Sequence, residues 1–158
     1  MIKASRDIKH IRRAMEPLLI DMAERVIRRE TVRICKWLNR LEKGELRLHD
    51  FSETVENFYW NEHAGDIEQA FIAPLTAVAA LVSEETKDLS EYMRDVVKRV
   101  QATGLDHVKF FIKSASSEKE LAESLRKEVF VWHKHRAPEI AKTEIDFICK
   151  EMGVQDAT

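Results

Sequence analysis

Apolar residues recur along most of this chain at spacings of three and four, the period of an α-helix with one buried face. Ile8, Ile11, Met15, Leu18 and Met22 open the pattern. Pro17 lies inside it, so either a short helix ends there and a new one starts, or one helix kinks. From Ile20 the pattern is regular: Ile20, Ala23, Ile27, Thr31, Ile34, Leu38 and Leu41 fall within about 80° of arc at 100° per residue. Gly44 is suited to closing this helix, which gives one long amphipathic helix over 17–43. Asp50 and Glu53 form a capping box, which predicts a start at Phe51. Phe51, Val55, Phe58 and Tyr59 follow as an apolar face. Gly65 and Pro74 cost about 1 and about 3 kcal/mol inside a helix, so central helices over 51–83 should bend or break near each.

The polar run Ser83–Asp88 is a joint, with Glu84 and Glu85 favourable in the first turn of a new helix over 84–103. Leu89, Met93, Val96, Val97 and Val100 form its face, and Gly104 is the expected stop. Residues 105–114, with Val108, Phe110, Phe111 and Ile112, fit a short helix or a strand by periodicity, and Asp106 favours the helix as an N-cap. Ser117 and Glu120 form a second capping box. Leu121, Leu125, Val129 and Trp132 define a helix over 118–135. Ala137-Pro138 should break it, and Ile140, Ala141, Ile145, Ile148, Cys149 and Met152 define a last helix over 138–152. The expectation is an all-α protein: one domain over 1–158, a bundle of about five to six helices.

Composition agrees with few, long elements, since 158 residues contain only 4 Gly and 3 Pro. The charged fraction of 34% suits solvated helices. Net charge is -2 and supplies no global basic field for nucleic acid. The distribution is uneven. Residues 1–43 carry 12 Lys+Arg against 6 Asp+Glu, and residues 44–95 carry 3 against 12. Such a split can pair within a chain or between copies, which argues mildly for self-association. Arg25, Arg29, Arg33, Lys36 and Arg40 fall within about 80° on the side opposite the apolar stripe. This basic stripe is a solvated face, with local pairs to Glu24 and Glu30, or a surface for phosphates or an acidic neighbour.

Cys35 and Cys149 give neither metal spacing nor a disulfide framework, and a reducing compartment is the expected setting. No signal peptide opens the chain, and the apolar run after Pro74 is too short to span a bilayer. Candidate chemistry is sparse. His63 stands beside Glu62 and Asp66, which reads as a structural hydrogen bond or salt bridge more readily than as a metal site. Arg126 and His133 have a spacing that some helical ribonucleases use, and Arg with His falls so by chance in many helices. Glu139 and Glu144 lie on different sides of a helix, unsuited to paired acid–base work. No phosphate loop, nucleophile–base pair or zinc pattern accompanies them, so neither an enzyme nor a cofactor is expected.

The stretch FYWNEHAGDIEQAFIAPLTAVAALV resembles a helical segment near the C-terminus of tailed-bacteriophage portal proteins. There a basic helix precedes an acidic stretch, then an aromatic pair, two residues and His, and an apolar run with a proline. Val26, Arg28, Arg29 and Glu30 are similar to the basic helix, with Ile27 set between valine and the arginines. Tyr59, Trp60 and His63 match the aromatic pair and histidine, and Pro74 with Leu75 the later proline. Arg136, Ala137, Glu139, Ile140, Ala141, Thr143 and Glu144 are similar to a pattern of portal and head-morphogenesis proteins. The resemblance covers about residues 23–82 and, more loosely, 137–145. It implies a non-enzymatic structural role in the phage head and its DNA-packaging apparatus. The partners it implies are further copies of the chain, other phage head proteins and DNA met without regard to sequence. No membrane is implied, and the location would be the virion or the host cytoplasm. The alternatives are a helical nucleic-acid-binding module on the basic stripe and a helical ribonuclease on Arg126 and His133.

Overall fold

The structure, a computed structural model, describes residues 8–82 and 89–151. Among them every regular element is helical. Helix α1 spans Ile8–Glu42, α2 Leu48–Asn57, α3 His63–Val82, α4 Ser90–Ser114 and α5 Glu118–Glu151. A single π-helical turn, Phe58–Glu62, joins α2 to α3 without a loop. The described residues therefore make four rods rather than five to six separate helices.

Helices α1 and α5 form the long spine, each about 50 Å at 1.5 Å per residue. They run antiparallel. Arg12 pairs with Asp146 at one end. Thr31 Oγ1 donates to the Val129 carbonyl at 3.2 Å in the middle. At the other end Arg126 Nη1 reaches Glu42 Oε1 at 2.6 Å. The α2–π–α3 rod packs on α1, and α4 closes over α3 and α5.

Two caps stand where the sequence puts them. Gly44 has φ +75, and the Glu45 N–H returns to the Arg40 carbonyl at 2.9 Å. The Glu120 N–H donates to Ser117 Oγ at 3.1 Å, opening α5. The Asp50 box does not form. Arg47 takes the N-cap position and α2 begins at Leu48, which leaves Asp50 inside the first turn, where its charge suits the helix dipole. Leu46, nearly buried, pins the short connection and brings the chain into the helix early.

The break expected at Pro138 does not occur, and of the alternatives left open at Pro17 (a break or a kink) and Pro74 (a bend or a break) neither break occurs. Pro17 lies within α1, Pro74 within α3 and Pro138 within α5. Pro17 and Pro138 both face solvent, where water can serve the carbonyl each leaves unbonded. Burial of Ile11, Leu19, Leu125, Ile145 and their neighbours on either side outweighs a cost of about 3 kcal/mol per proline. Gly104 does not end α4, and residues 105–114 are its continuing helix. The expected joint at residues 83–88, the start at 84 and the last residue of the final helix at 152 lie outside the described residues.

The apolar faces hold, with local shifts. Ala23, Ile27, Ile34, Leu38 and Leu41 are buried, as are Phe51, Val55, Phe58 and Tyr59. Leu18 is exposed and Leu19 takes its place in the core. The buried arc of α1 is wider than the stripe, because α5 and α3 flank it on two sides; Val26, Glu30 and Trp37 are buried too.

Candidate functional site

Residues 51, 55, 59, 63, 67, 71 and 75 of the second rod are all buried, at a constant spacing of four. An ideal α-helix advances 100° per residue, so this stripe would drift by about 40° per step and about 240° in all. The π turn inserts one residue and takes back about 100°. That keeps Phe51 and Phe71 facing the same core. The turn also places Tyr59 and His63 inside: Phe58 stacks on the His63 ring at 4.8 Å, and Trp37 meets Phe58 edge-on at 5.4 Å. Gln101 of α4, itself buried, donates from Nε2 to the Tyr59 carbonyl at 2.7 Å.

Around this turn the core holds a knot of ionisable groups. Glu30 of α1 is fully buried, and Arg136 of α5 grips it with both terminal nitrogens, at 3.2 and 3.3 Å. The Arg136 guanidinium lies over the Trp132 ring at 4.6 Å. His63 stands between two carboxylates, with Nε2 3.7 Å from Glu30 Oε2 and Nδ1 3.7 Å from Asp66 Oδ2. Both distances are too long for hydrogen bonds. Among the described residues Tyr59 Oη and both ring nitrogens of His63 have no hydrogen-bond partner. Gly104 lets α4 approach: a Cβ there would meet Tyr59 Cε1 at 2.6 Å and Tyr59 Oη at 2.9 Å, with the Glu30 carboxylate closer still. Burial pushes the Glu30 carboxyl up, but Arg136 and then His63 outweigh it and hold it below its ordinary value of 4.5. Burial and the Glu30 charge push the Tyr59 phenol well above its ordinary value of 10.0.

Carboxylate, imidazole and phenol would be usable acid–base groups in a cleft. Here Glu30, His63 and Tyr59 are buried among the described residues, and the knot joins four rods.

A smaller cluster ties α4 to α5. Glu144, also buried, accepts from Arg99 Nε at 3.1 Å, Arg99 Nη2 at 2.5 Å and Tyr92 Oη at 2.9 Å. Arg99 lies 4.2 Å over the Phe147 ring. Burial and Glu144 push the Tyr92 phenol upward. Burial also raises the Cys35 and Cys149 thiols, which keeps them protonated and poor nucleophiles.

The basic stripe is largely occupied by carboxylates of the same chain. Arg29 pairs with Asp66, and Arg33 Nη2 lies 3.2 Å from both oxygens of Glu62. Arg33 also stacks over Trp37 and Phe58, at 5.2 and 5.1 Å. Arg25 meets Asp21 at 3.2 Å and Arg40 meets Glu45 at 3.6 Å. Lys36 is exposed. The uneven charge of the sequence is thus partly met within one chain. Glu30 does not join these local pairs, because it lies on the buried arc with Arg136.

Of the other candidates, Tyr59 and His63 belong to the buried knot, Trp60 points outward at 45% exposure, and Pro74 is buried within α3. Arg126 is held by Glu42 and by Asn39 Oδ1 at 2.8 Å. His133 lies two turns along α5, about 10 Å away on the same side. Sequence reasoning missed Glu30, Arg136, Gln101 and Gly104 as a set. The unbroken spacing of four from Phe51 to Leu75 was the available signal for the π turn. Among the described residues no group of three or more His, Cys, Asp or Glu could hold a metal, and no helix is long and apolar enough to cross a membrane. Comparison with family models, curated proteins and solved structures found no match.

Proposed function

We propose that this chain is a non-enzymatic structural and assembly module of a phage or prophage particle, similar to the C-terminal part of a portal protein. It acts by self-association in the head and DNA-packaging apparatus, within the virion or the host cytoplasm. The observation that carries the reading is where the chemistry lies. The convergent ionisable groups, Glu30, His63, Tyr59 and Arg136, are spent on one another in the core, while Trp60, Ile72, Phe110 and Phe130 are left on the surface. Catalysis needs the reverse placement, and assembly uses exposed apolar side chains.

The test is light scattering on the purified chain over a range of concentrations, followed by capture of the other head proteins encoded beside it. Association in either assay is the expected result. A strictly monomeric chain that binds no head component overturns the proposal. So does RNA cleavage lost in Arg126→Ala with His133→Ala. DNA binding that falls steeply with salt and is lost on replacing Arg25, Arg29, Arg33, Lys36 and Arg40 would instead favour the nucleic-acid-binding alternative.

A further inference from the structure

A groove of about 730 Å³ runs between the second rod and the first half of α4. Trp60, Ala64, Glu68, Ile72 and Thr76, at a constant spacing of four, form one wall. Arg94, Val97 and Lys98 form the other. Trp60 is 45% and Ile72 50% exposed, and beyond Glu68 the sequence carries no charge through Val82. The groove has polarity across its width, with the acid on one wall and both bases on the other. The side chains of Glu68, Arg94 and Lys98 pair with no described residue of their own chain.

We infer that this groove is a docking face for the same groove of a second copy, with the two-fold axis running along it. The inference rests on the self-association reading and assigns it a surface. The Gln101–Tyr59 hydrogen bond fixes the level of the antiparallel walls. One residue against one residue then sets Glu68 level with Tyr92, about 3 Å along the axis from Arg94 and about 9 Å from Lys98. A two-fold along the groove keeps each residue at its level and exchanges the walls. Glu68 then lies nearest Arg94 of the other copy, with Lys98 further along the same wall, twice over, and Trp60 is covered by the apolar side chain of Val97. Each facing helix pair is antiparallel, so the helix dipoles also oppose. A two-fold across the groove instead stacks like walls, with Glu68 near its own counterpart and Arg94 near its own. Like-charge apposition disfavours that arrangement. Trp60 to Thr76 spans about 24 Å, and two helices are about 20 Å wide, so each partner buries about 500 Å². The total of about 1,000 Å² is near the smallest area of a specific interface, which makes this a weak, concentration-dependent dimer.

Charge reversal tests it on the full chain, since all three charged side chains are exposed and their replacement leaves the core alone. In sedimentation equilibrium, Glu68→Arg alone and Arg94→Glu with Lys98→Glu should each weaken dimerisation by about tenfold or more, because every change acts at two symmetric contacts. Mixing the two variants, or combining all three changes in one chain, should restore it. Ile72→Asp should abolish it. Association that persists unchanged in all of these overturns the groove and leaves self-association standing. A wild-type chain that stays monomeric to about 1 mM overturns this dimer, whether or not it binds other head proteins.

Discussion

Replacing Gly104 by alanine sets two effects of opposite sign against each other. In the middle of α4 the added methyl removes the conformational freedom of glycine, which stabilises a helix by about 1 kcal/mol. At this position the methyl also enters the space of Tyr59, 2.6 Å from Cε1, and of the Glu30 carboxylate. Neither can step aside freely. Tyr59 is fully buried, and Glu30 is gripped by two nitrogens of Arg136. Overpacking of this kind costs about 1–3 kcal/mol, and disturbing the buried ion pair adds to it. The net expectation is a loss of about 1–2 kcal/mol. Gly65 supplies the internal control, since it is also helical and exposed, and a Cβ there meets nothing within 4 Å. Gly65→Ala should therefore gain up to about 1 kcal/mol. The two variants should bracket wild type in urea unfolding. With a slope of about 1–3 kcal/mol per molar, their midpoints should differ by about 1 M. A Gly104→Ala chain as stable as Gly65→Ala would refute the close approach of α4 to the knot.

Three further outcomes follow from the same core. Arg136→Met leaves Glu30 buried without its partner and should cost about 3–5 kcal/mol, whereas Glu30→Leu combined with Arg136→Met should recover most of it; equal losses in both would be inconsistent with a paired buried charge. Arg136 holds the Glu30 carboxyl low in the folded chain, so the stability it contributes is present above the ordinary value of 4.5 and is lost as pH falls through the depressed folded value. Glu30→Gln should flatten that acid limb in pH-dependent unfolding, and an unchanged slope argues against it. Both thiols are raised by burial, so a disulfide reagent at neutral pH should modify native Cys149 far more slowly than the unfolded chain; equal rates would contradict its burial.

The sequence by itself determined the helical class and most of the buried face of each helix. It did so because burial on one side of a 3.6-residue period is a local property, visible in Ile27, Ile34 and Leu38 of α1 or Leu121, Leu125 and Val129 of α5. It also placed Gly44 and Ser117 correctly as caps, since each needs only its immediate neighbours. The rest was decided by contacts distant in the chain. Pro17 and Pro138 should break a helix in isolation, but a partner running alongside the whole spine overrides a few kcal/mol of propensity. Gly104 has the composition of a stop, and only the position of Tyr59 and Glu30 makes it a point of close approach. Glu30 and Arg136 are 106 residues apart, and nothing near either one marks it as buried. A carboxylate inside a protein is tolerable only beside its cation, and that partner exists only once α1 and α5 have packed.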